Sequence, residues 1–324
     1  MNSPIVFTHY GNASYLRRSL ICARLTNPKC QIILLGDDSN RQTAVQSDVE
    51  HFSFRELVAG PERQEFGKCF KPISGRLHQN YKNGGYWLRY VFERWFYVYE
   101  YACSKGFESF WHFDSDTMIL APLSGFERTF QRYDCTEQCN GMCMNGYIHL
   151  TALRTYLDVI NDLFMDECFL DLQRREFERD NPHYAFTEMR AYAEAKRRKK
   201  LSAFHLSKVV NGTAFDDCIC QDHGYETARL ASGQIVKNLY WENGFYCFNK
   251  GCDSPIKFNT LNLSWVPDFV FDWVLERTRA EVQGDVDISK RDYLSSCSVP
   301  MAEAMRGRLR IMKSWAKKAI GQEE

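Results

Sequence analysis

Between Phe110 and Pro122 the chain reads FWHFDSDTMILAP, an apolar run that halts on Asp114 and Asp116 and then turns apolar again. Carboxylates beside a buried strand are costly unless something cationic neutralises them. Residues i and i+2 of a strand share a face, and a bend at Ser115 brings both acids towards one point. A hard divalent ion, Mg²⁺ or Mn²⁺, takes such oxygen ligands and leaves its other positions to water or a substrate's phosphates. The chemistry expected is a metal–phosphate site at the carboxyl edge of a sheet. The spelling alone means little, because Asp285 and Asp287 repeat it in the polar stretch EVQGDVDISKRD. No strand precedes that copy, which reads as a solvated loop.

The elements that must position this pair alternate. Ile5 to His9 reads as a short strand, and Asn12 is placed to cap the amphipathic segment after it. Cys30 to Leu35 is a second strand, closing on Gly36-Asp37-Asp38, and Val49 to Phe54 is a third. Residues 61–85, rich in Pro, Gly, Lys and Asn, read as a long loop or flap. Tyr86 to Ser104 carries the strongest helical pattern and feeds through Lys105-Gly106 into the strand that ends at Asp114. Such repetition predicts a largely parallel α/β sheet, with ligands bound outside the carboxyl ends of the strands. His9–Asn12, Asp37–Asp38 and Asp114–Asp116 would then converge on one edge.

The second half is less regular. Met142 to Ile148 reads as a strand interrupted at Asn145-Gly146, followed by a helix over Leu150–Met165 and charged helical sequence to Lys200. Asn243-Gly244 between LYWE and FYCF predicts a two-residue hairpin. A basic amphipathic helix is expected over 300–320, suited either to docking on its own domain or to peripheral contact with an anionic membrane face.

Bulk properties narrow the classes. Lys plus Arg and Asp plus Glu balance at 41 each, so nothing global favours nucleic acid. No run of apolar residues reaches membrane-spanning length and no secretion signal is read at the N-terminus, so a cytoplasmic protein is expected. The 13 cysteines then read as reduced thiols packing as small hydrophobes. Cys135, Cys139, Cys143 and His149 lack the second ligand pair of an ordinary zinc site. The sequons at Asn12, Asn211 and Asn262 carry no weight in a chain that is not exported.

In the order of these features the chain resembles the nucleotide-sugar-dependent glycosyltransferases of the GT-A fold, especially bacterial ones that decorate polysaccharide. The likeness rests on FTHYGNASYL, the strand closing on GDD, the helix with FERWFYVYEYA, the FWHFDSD strand, MNGYIHL and FTEMRAY. It implies a mixed sheet flanked by helices over residues 1–275, with a helical extension over 276–324. It also implies a nucleotide-sugar donor, most simply a UDP-sugar, a glycan or lipid-linked acceptor, and Mn²⁺ or Mg²⁺ as cofactor. By position Asp116 would bind the metal, with Asp114 on metal, ribose or sugar. Thr8, Tyr10 and Asp37 would hold the nucleotide, Arg94 the phosphates or sugar, and Asn145 with Gly146 the underside of the sugar. Glu188 would face the acceptor as general base, with Asp216 in reserve. The family's late metal-binding His is missing from FNTLNLSWVP, where Asn262 or a water would take its place. A haloacid-dehalogenase-like phosphohydrolase wants Thr or Val two places after the second Asp, where Met118 stands. A GT-A-like scaffold that binds glycan without turnover is the remaining alternative.

Overall fold

The computed structural model describes residues 2–78, 85–250, 255–284 and 292–294. Strands β1 (Ile5–Thr8) and β2 (Ile32–Gly36) are buried along their whole length, as their unbroken apolar sequences require, and β3 (Glu50–Ser53) lies at the sheet edge. Helices α1 (Leu16–Thr26) and α2 (Arg41–Gln46) link them. Helices α3 (Pro61–Cys69) and α4 (Tyr86–Lys105) lead to β4 (Ser109–Asp114) and β5 (Thr117–Ile119). After the single turn α5 (Glu127–Phe130) come the paired strands β6 (Cys135–Gln138) and β7 (Cys143–His149). Then follow α6 (Leu150–Met165), α7 (Glu167–Arg179), α8 (Glu188–Lys199) and β8 (Ala203–His205).

Seven strands form the main sheet in the order β3-β2-β1-β4-β7-β6-β8. The first four are mutually parallel, and β7 turns the sheet mixed by running antiparallel to β4. One face is covered by α3, α4, α6 and α8, through a core that includes Phe66, Phe92, Trp95, Phe96 and Phe164. The expected α/β architecture, a mixed sheet flanked by helices, is the one observed.

The remaining strands are β9 (Thr213–Phe215), β10 (Thr227–Arg229), β11 (Ile235–Lys237), β12 (Tyr240–Trp241), β13 (Phe245–Phe248) and β14 (Pro255–Asn262). Helix α9 (Asp268–Gln283) and β15 (Asp292–Tyr293) complete the described chain. A second sheet has the order β15-β12-β13-β14-β5, with β9 beside β14. Strand β4 thus belongs to the first sheet and β5 to the second, and the chain crosses between them at Ser115-Asp116. Trp111 and Phe113 of β4 stack nearly parallel to Phe215 beneath that crossing. This aromatic layer fixes where the acidic pair can sit.

Several expectations need correction. Residues 61–69 are helical rather than loop: Pro61 occupies the first turn, where its missing N–H costs nothing, and Phe66 is buried against Phe92 and Phe96. Asn12 does not cap α1. Its side-chain oxygen accepts from Thr43 instead, and the helix begins after Tyr15. A hairpin forms at Asn243-Gly244, both at positive φ, but with Trp241 paired to Phe245 its loop is the three residues 242–244 rather than the two expected. Cys135 and His149 are engaged elsewhere, by Tyr192 and the Gln131 carbonyl. The helix expected over 300–320 and the Asp285/Asp287 pair lie outside the described residues. Among the described residues no helix is long and apolar enough to cross a membrane.

Candidate functional site

The parallel register sets Thr8 of β1 directly beside Asp114 of β4, and Leu35 of β2 on Thr8's other side. Strands β1 and β4 therefore end on one cavity of about 650 Å³. Its wall includes Thr8, Tyr10, Arg94, Asp114, Asp116, Glu188 and Asn262, so seven of the sequence-predicted residues meet there. Asp37 lies in an adjoining recess of about 210 Å³ that shares Tyr10, Tyr86 and Tyr90 with the larger one. Its carboxylate accepts from the Gly11 amide at 2.6 Å and the Ser39 amide at 2.8 Å. Burial works against its charge, but the Ser39 hydroxyl, followed by these two amides, holds it below the usual carboxylate range.

Arg94 joins three elements. Projecting from α4, its Nη1 donates to Asp114 Oδ1 at 2.6 Å, and its Nη2 to Glu188 Oε1, at the start of α8, at 3.3 Å. Burial opposes the guanidinium charge, and the two carboxylates outweigh it. Burial alone would also raise Asp114, yet Arg94 beside it holds that carboxyl below its ordinary value.

Asp116 differs. Burial and the neighbouring Asp114 charge push it up to about 6, offset in part by a hydrogen bond from Ser264 Oγ at 2.8 Å. Its Oδ1 is buried with no partner. Two carboxylates with an unsatisfied oxygen form a donor set that a hard cation fits, since the cation would replace mutual repulsion with attraction. Among the described residues no third His, Cys, Asp or Glu completes a closed metal cage. An ion here would keep positions for substrate oxygens.

Glu188 is pushed up to about 7, first by burial and further by Asp114, against the pull of Arg94. Its Oε2 is buried without a partner. A carboxyl titrating near neutrality in a cavity has the properties of a general base.

The other predicted residues are placed differently. Asn145 is buried beside Asp114, with neither side-chain polar atom in a well-formed hydrogen bond. Gly146 sits in a bulge of β7, where φ is +90° and a Cβ would meet Thr136 Oγ1 at 2.2 Å and Leu206 at 2.6 Å. Its smallness serves packing against β6 and Leu206. Asp216 does not reach the large cavity: it is fully buried and paired with Lys237 at 2.5 Å, lining a separate recess of about 130 Å³. Asn262 does line the large cavity, but its Oδ1 accepts from Ser264 N and Oγ, which leaves it bracing Ser264 rather than open to a ligand.

Two solved structures of similar fold are glycosyltransferases. The PaToxG glycosyltransferase is 9% identical, aligned over 61% of this chain and 70% of its own, with a TM-score of 0.36. Mouse xyloside xylosyltransferase 1, in its apo form, is 9% identical over 64% of this chain and 86% of its own, with a TM-score of 0.42. No family model and no curated protein matches the sequence.

The cavity also contains His9, expected at this edge, and residues that the sequence did not suggest. His9 bonds Ser115 Oγ at 2.7 Å, bracing the bend between the aspartates, and burial pushes it down to about 4 despite Asp37. Ser264 and the largely exposed Trp265 come from the far end of β14, and Tyr86, Trp87 and Tyr90 from the first turns of α4. Ser264 is 148 residues from Asp116, so no local signal could have joined them.

Proposed function

We propose that this chain is a metal-dependent glycosyltransferase that moves a sugar from a nucleotide diphosphate donor, a UDP-sugar in the simplest case, to a glycan or lipid-linked acceptor hydroxyl. One observation carries the reading. An acidic pair at the carboxyl end of β4, beside its parallel neighbour β1, faces a large cavity with an unsatisfied carboxylate oxygen, next to a buried acid poised near neutrality.

Asp116 and Asp114 would hold Mn²⁺ or Mg²⁺, which when bound neutralises charge on the departing diphosphate. The chain's own residues supply the rest. The recess at Asp37, walled by Tyr10, Tyr86 and Tyr90, suits a nucleoside, with the tyrosine faces against the base and Asp37 on ribose. Arg94 keeps Asp114 charged and aligned, and presents a buried, unpaired Nε. Glu188 Oε2 is free to take a proton from an acceptor hydroxyl. In a haloacid-dehalogenase-type hydrolase Asp114 would be the nucleophile. Here its Oδ1 is tied to Arg94 at 2.6 Å, which weighs against that role.

The deciding experiment is thermal unfolding with UDP, Mn²⁺ or both, followed by a screen of nucleotide-sugars for donor hydrolysis. Protection by UDP and Mn²⁺ together, but by neither alone, is expected. Turnover of a generic phosphate ester without nucleotide binding would replace this reading with the hydrolase, and binding without donor hydrolysis with the scaffold.

A further inference from the structure

Behind the large cavity lies the recess of about 130 Å³ beside Asp216. The stretch 216–218 divides the two, with Cys218 on the large cavity and Asp216 and Asp217 on the recess. Lys237 is buried there, and it donates to Asp216 Oδ1 at 2.5 Å and to the Cys218 carbonyl at 2.7 Å. The other Asp216 oxygen takes the Asn262 amide at 3.2 Å. Asp216 and Lys237 therefore cancel each other's charge.

Asp217 is left over. It is only 2% exposed, and its Oδ2 accepts from the Asn140 amide at 2.8 Å. His205 Nε2 stands 3.9 Å from that same oxygen, beyond hydrogen-bond reach. Asp217 Oδ1 is buried with no partner among the described residues, and the same holds for Nε2 of His223, which also lines the recess. Burial, and then the Lys237 charge, hold the His223 imidazole below its ordinary range, so at neutral pH it is uncharged. A buried carboxylate oxygen without a donor is costly, and the donor that suits it best is a charged one.

We propose that this recess binds a primary alkylammonium group, with Asp217 Oδ1 as its counter-ion, His223 Nε2 as a second acceptor and apolar walls around its carbon stem. A primary ammonium brings three N–H donors and one positive charge. One free carboxylate oxygen and one imidazole lone pair, in the tautomer protonated at Nδ1, use two of those donors and the charge. The remaining wall is largely carbon: Val209, Phe215, and Phe258 with its ring 5.4 Å from that of Tyr225. Aromatic faces attract a cation and shelter its stem. The volume equals about four waters, room for an ammonium and a short chain.

Other cations match less well. Hard metal ions take about six or more oxygen ligands, which carbon walls do not supply. Among the described residues no group of three His, Cys, Asp or Glu is arranged to hold a metal. A quaternary ammonium has no N–H to give Asp217. The occupant would also steady the wall between the two cavities, because Asp217 holds Asn140 in the turn after β6, next to Cys139 of the large cavity.

The test uses the full chain in EDTA at pH 7.5, with ethylammonium chloride as the probe and potassium and tetramethylammonium chlorides as controls at equal ionic strength. Expected are saturable protection by ethylammonium alone, with Tm raised by about 2 °C at ten times its Kd, and a shift of the His223 ring nitrogens in long-range ¹⁵N spectra. Asp217→Asn keeps the volume and drops the charge, and should weaken ethylammonium binding at least about tenfold. Val209→Trp, at a lining position that is 47% exposed, should do the same by filling the recess. Both 1,4-diaminobutane and Nα-acetyl-lysine methylamide should bind, and the tighter of the two names the source, a free diamine or a protein side chain. Equal protection by either control salt, an undisturbed His223 ring, undiminished binding in a folded D217N or V209W protein, or binding by neither larger amine would overturn the proposal. None of these readouts involves a sugar donor or Mn²⁺, so this site and the glycosyltransferase reading can fail separately.

Discussion

Replacing Arg94 with Met keeps most of the aliphatic volume on α4 but removes the cation shared by Asp114 and Glu188. The side chains of Arg94, Asp114 and Glu188 are only 12%, 26% and 12% exposed, so water cannot screen what is left. Stripping one partner from a buried ion pair costs about 3–5 kcal/mol. Glu188, already poised at about 7, relieves part of this by taking up a proton. The residual loss near neutrality is expected at about 2–3 kcal/mol, a fall in Tm of roughly 4–8 °C for a chain of this size. The pH dependence has a definite sign. The folded value of Glu188 lies above its ordinary 4.5, so its stabilising contribution is complete below about 4.5 and is lost as pH rises through 7. Without Arg94 that upper limit moves higher, and the variant's deficit grows from pH 6 to pH 8.5. The assay is urea unfolding in EDTA at both pH values for wild type, R94M, E188Q and the double variant. Adding E188Q to R94M should recover part of the loss at pH 8.5. An R94M protein within about 0.5 kcal/mol of wild type at pH 8.5, or a deficit that shrinks as pH rises, would refute the ion-pair geometry.

Asp116→Asn removes a carboxylate that burial and Asp114 hold at about 6, so in EDTA at pH 8 the variant should melt about 2 °C higher while losing Mn²⁺-dependent protection by UDP. Glu188→Gln should lower kcat by about 10²–10⁴-fold and flatten the acidic limb of the pH–rate profile near 7. Asp216→Asn, which breaks the buried pair with Lys237, should instead destabilise by about 3 kcal/mol in denaturant melts and leave kcat of the folded protein within about threefold. Gly146→Ala, forced against Thr136 Oγ1 at a φ of +90°, should cost about 2–3 kcal/mol by circular dichroism melting.

The strand ends were legible because each is a local event. An apolar run that stops on polar residues fixes where β1, β2 and β4 finish, and parallel pairing then brings Thr8 and Asp114 side by side with Asp37 in the neighbouring recess. Helix α4 was legible from its period, which put Arg94 on the helix before the motif. What escaped notice depended on tertiary partners. Asp216 and Glu188 are both acids beside apolar sequence, and only packing against Lys237 or Arg94 separates them. Helix α3 was hidden by its Gly, Pro and Lys content, since burial of Phe66 outweighs weak propensity. The stretch FNTLNLSWVP was placed near the metal by resemblance alone, with Asn262 as its candidate; Ser264 matters because β5 pairs with β14 and brings Asp116 to it.

The crossing at Ser115-Asp116 couples chemistry to assembly. Each layer owns one half of the acidic pair's surroundings: Arg94 and Glu188 flank Asp114 on one side, while β14 supplies Ser264 to Asp116 on the other. Of fragments separated by a cut in the exposed 209–212 connection, the first would keep both aspartates, Arg94 and Glu188 but lose the Ser264 brace on Asp116. Recovery of binding on mixing such fragments would therefore gauge how well the two layers re-dock, and ligand affinity becomes a ruler for their alignment.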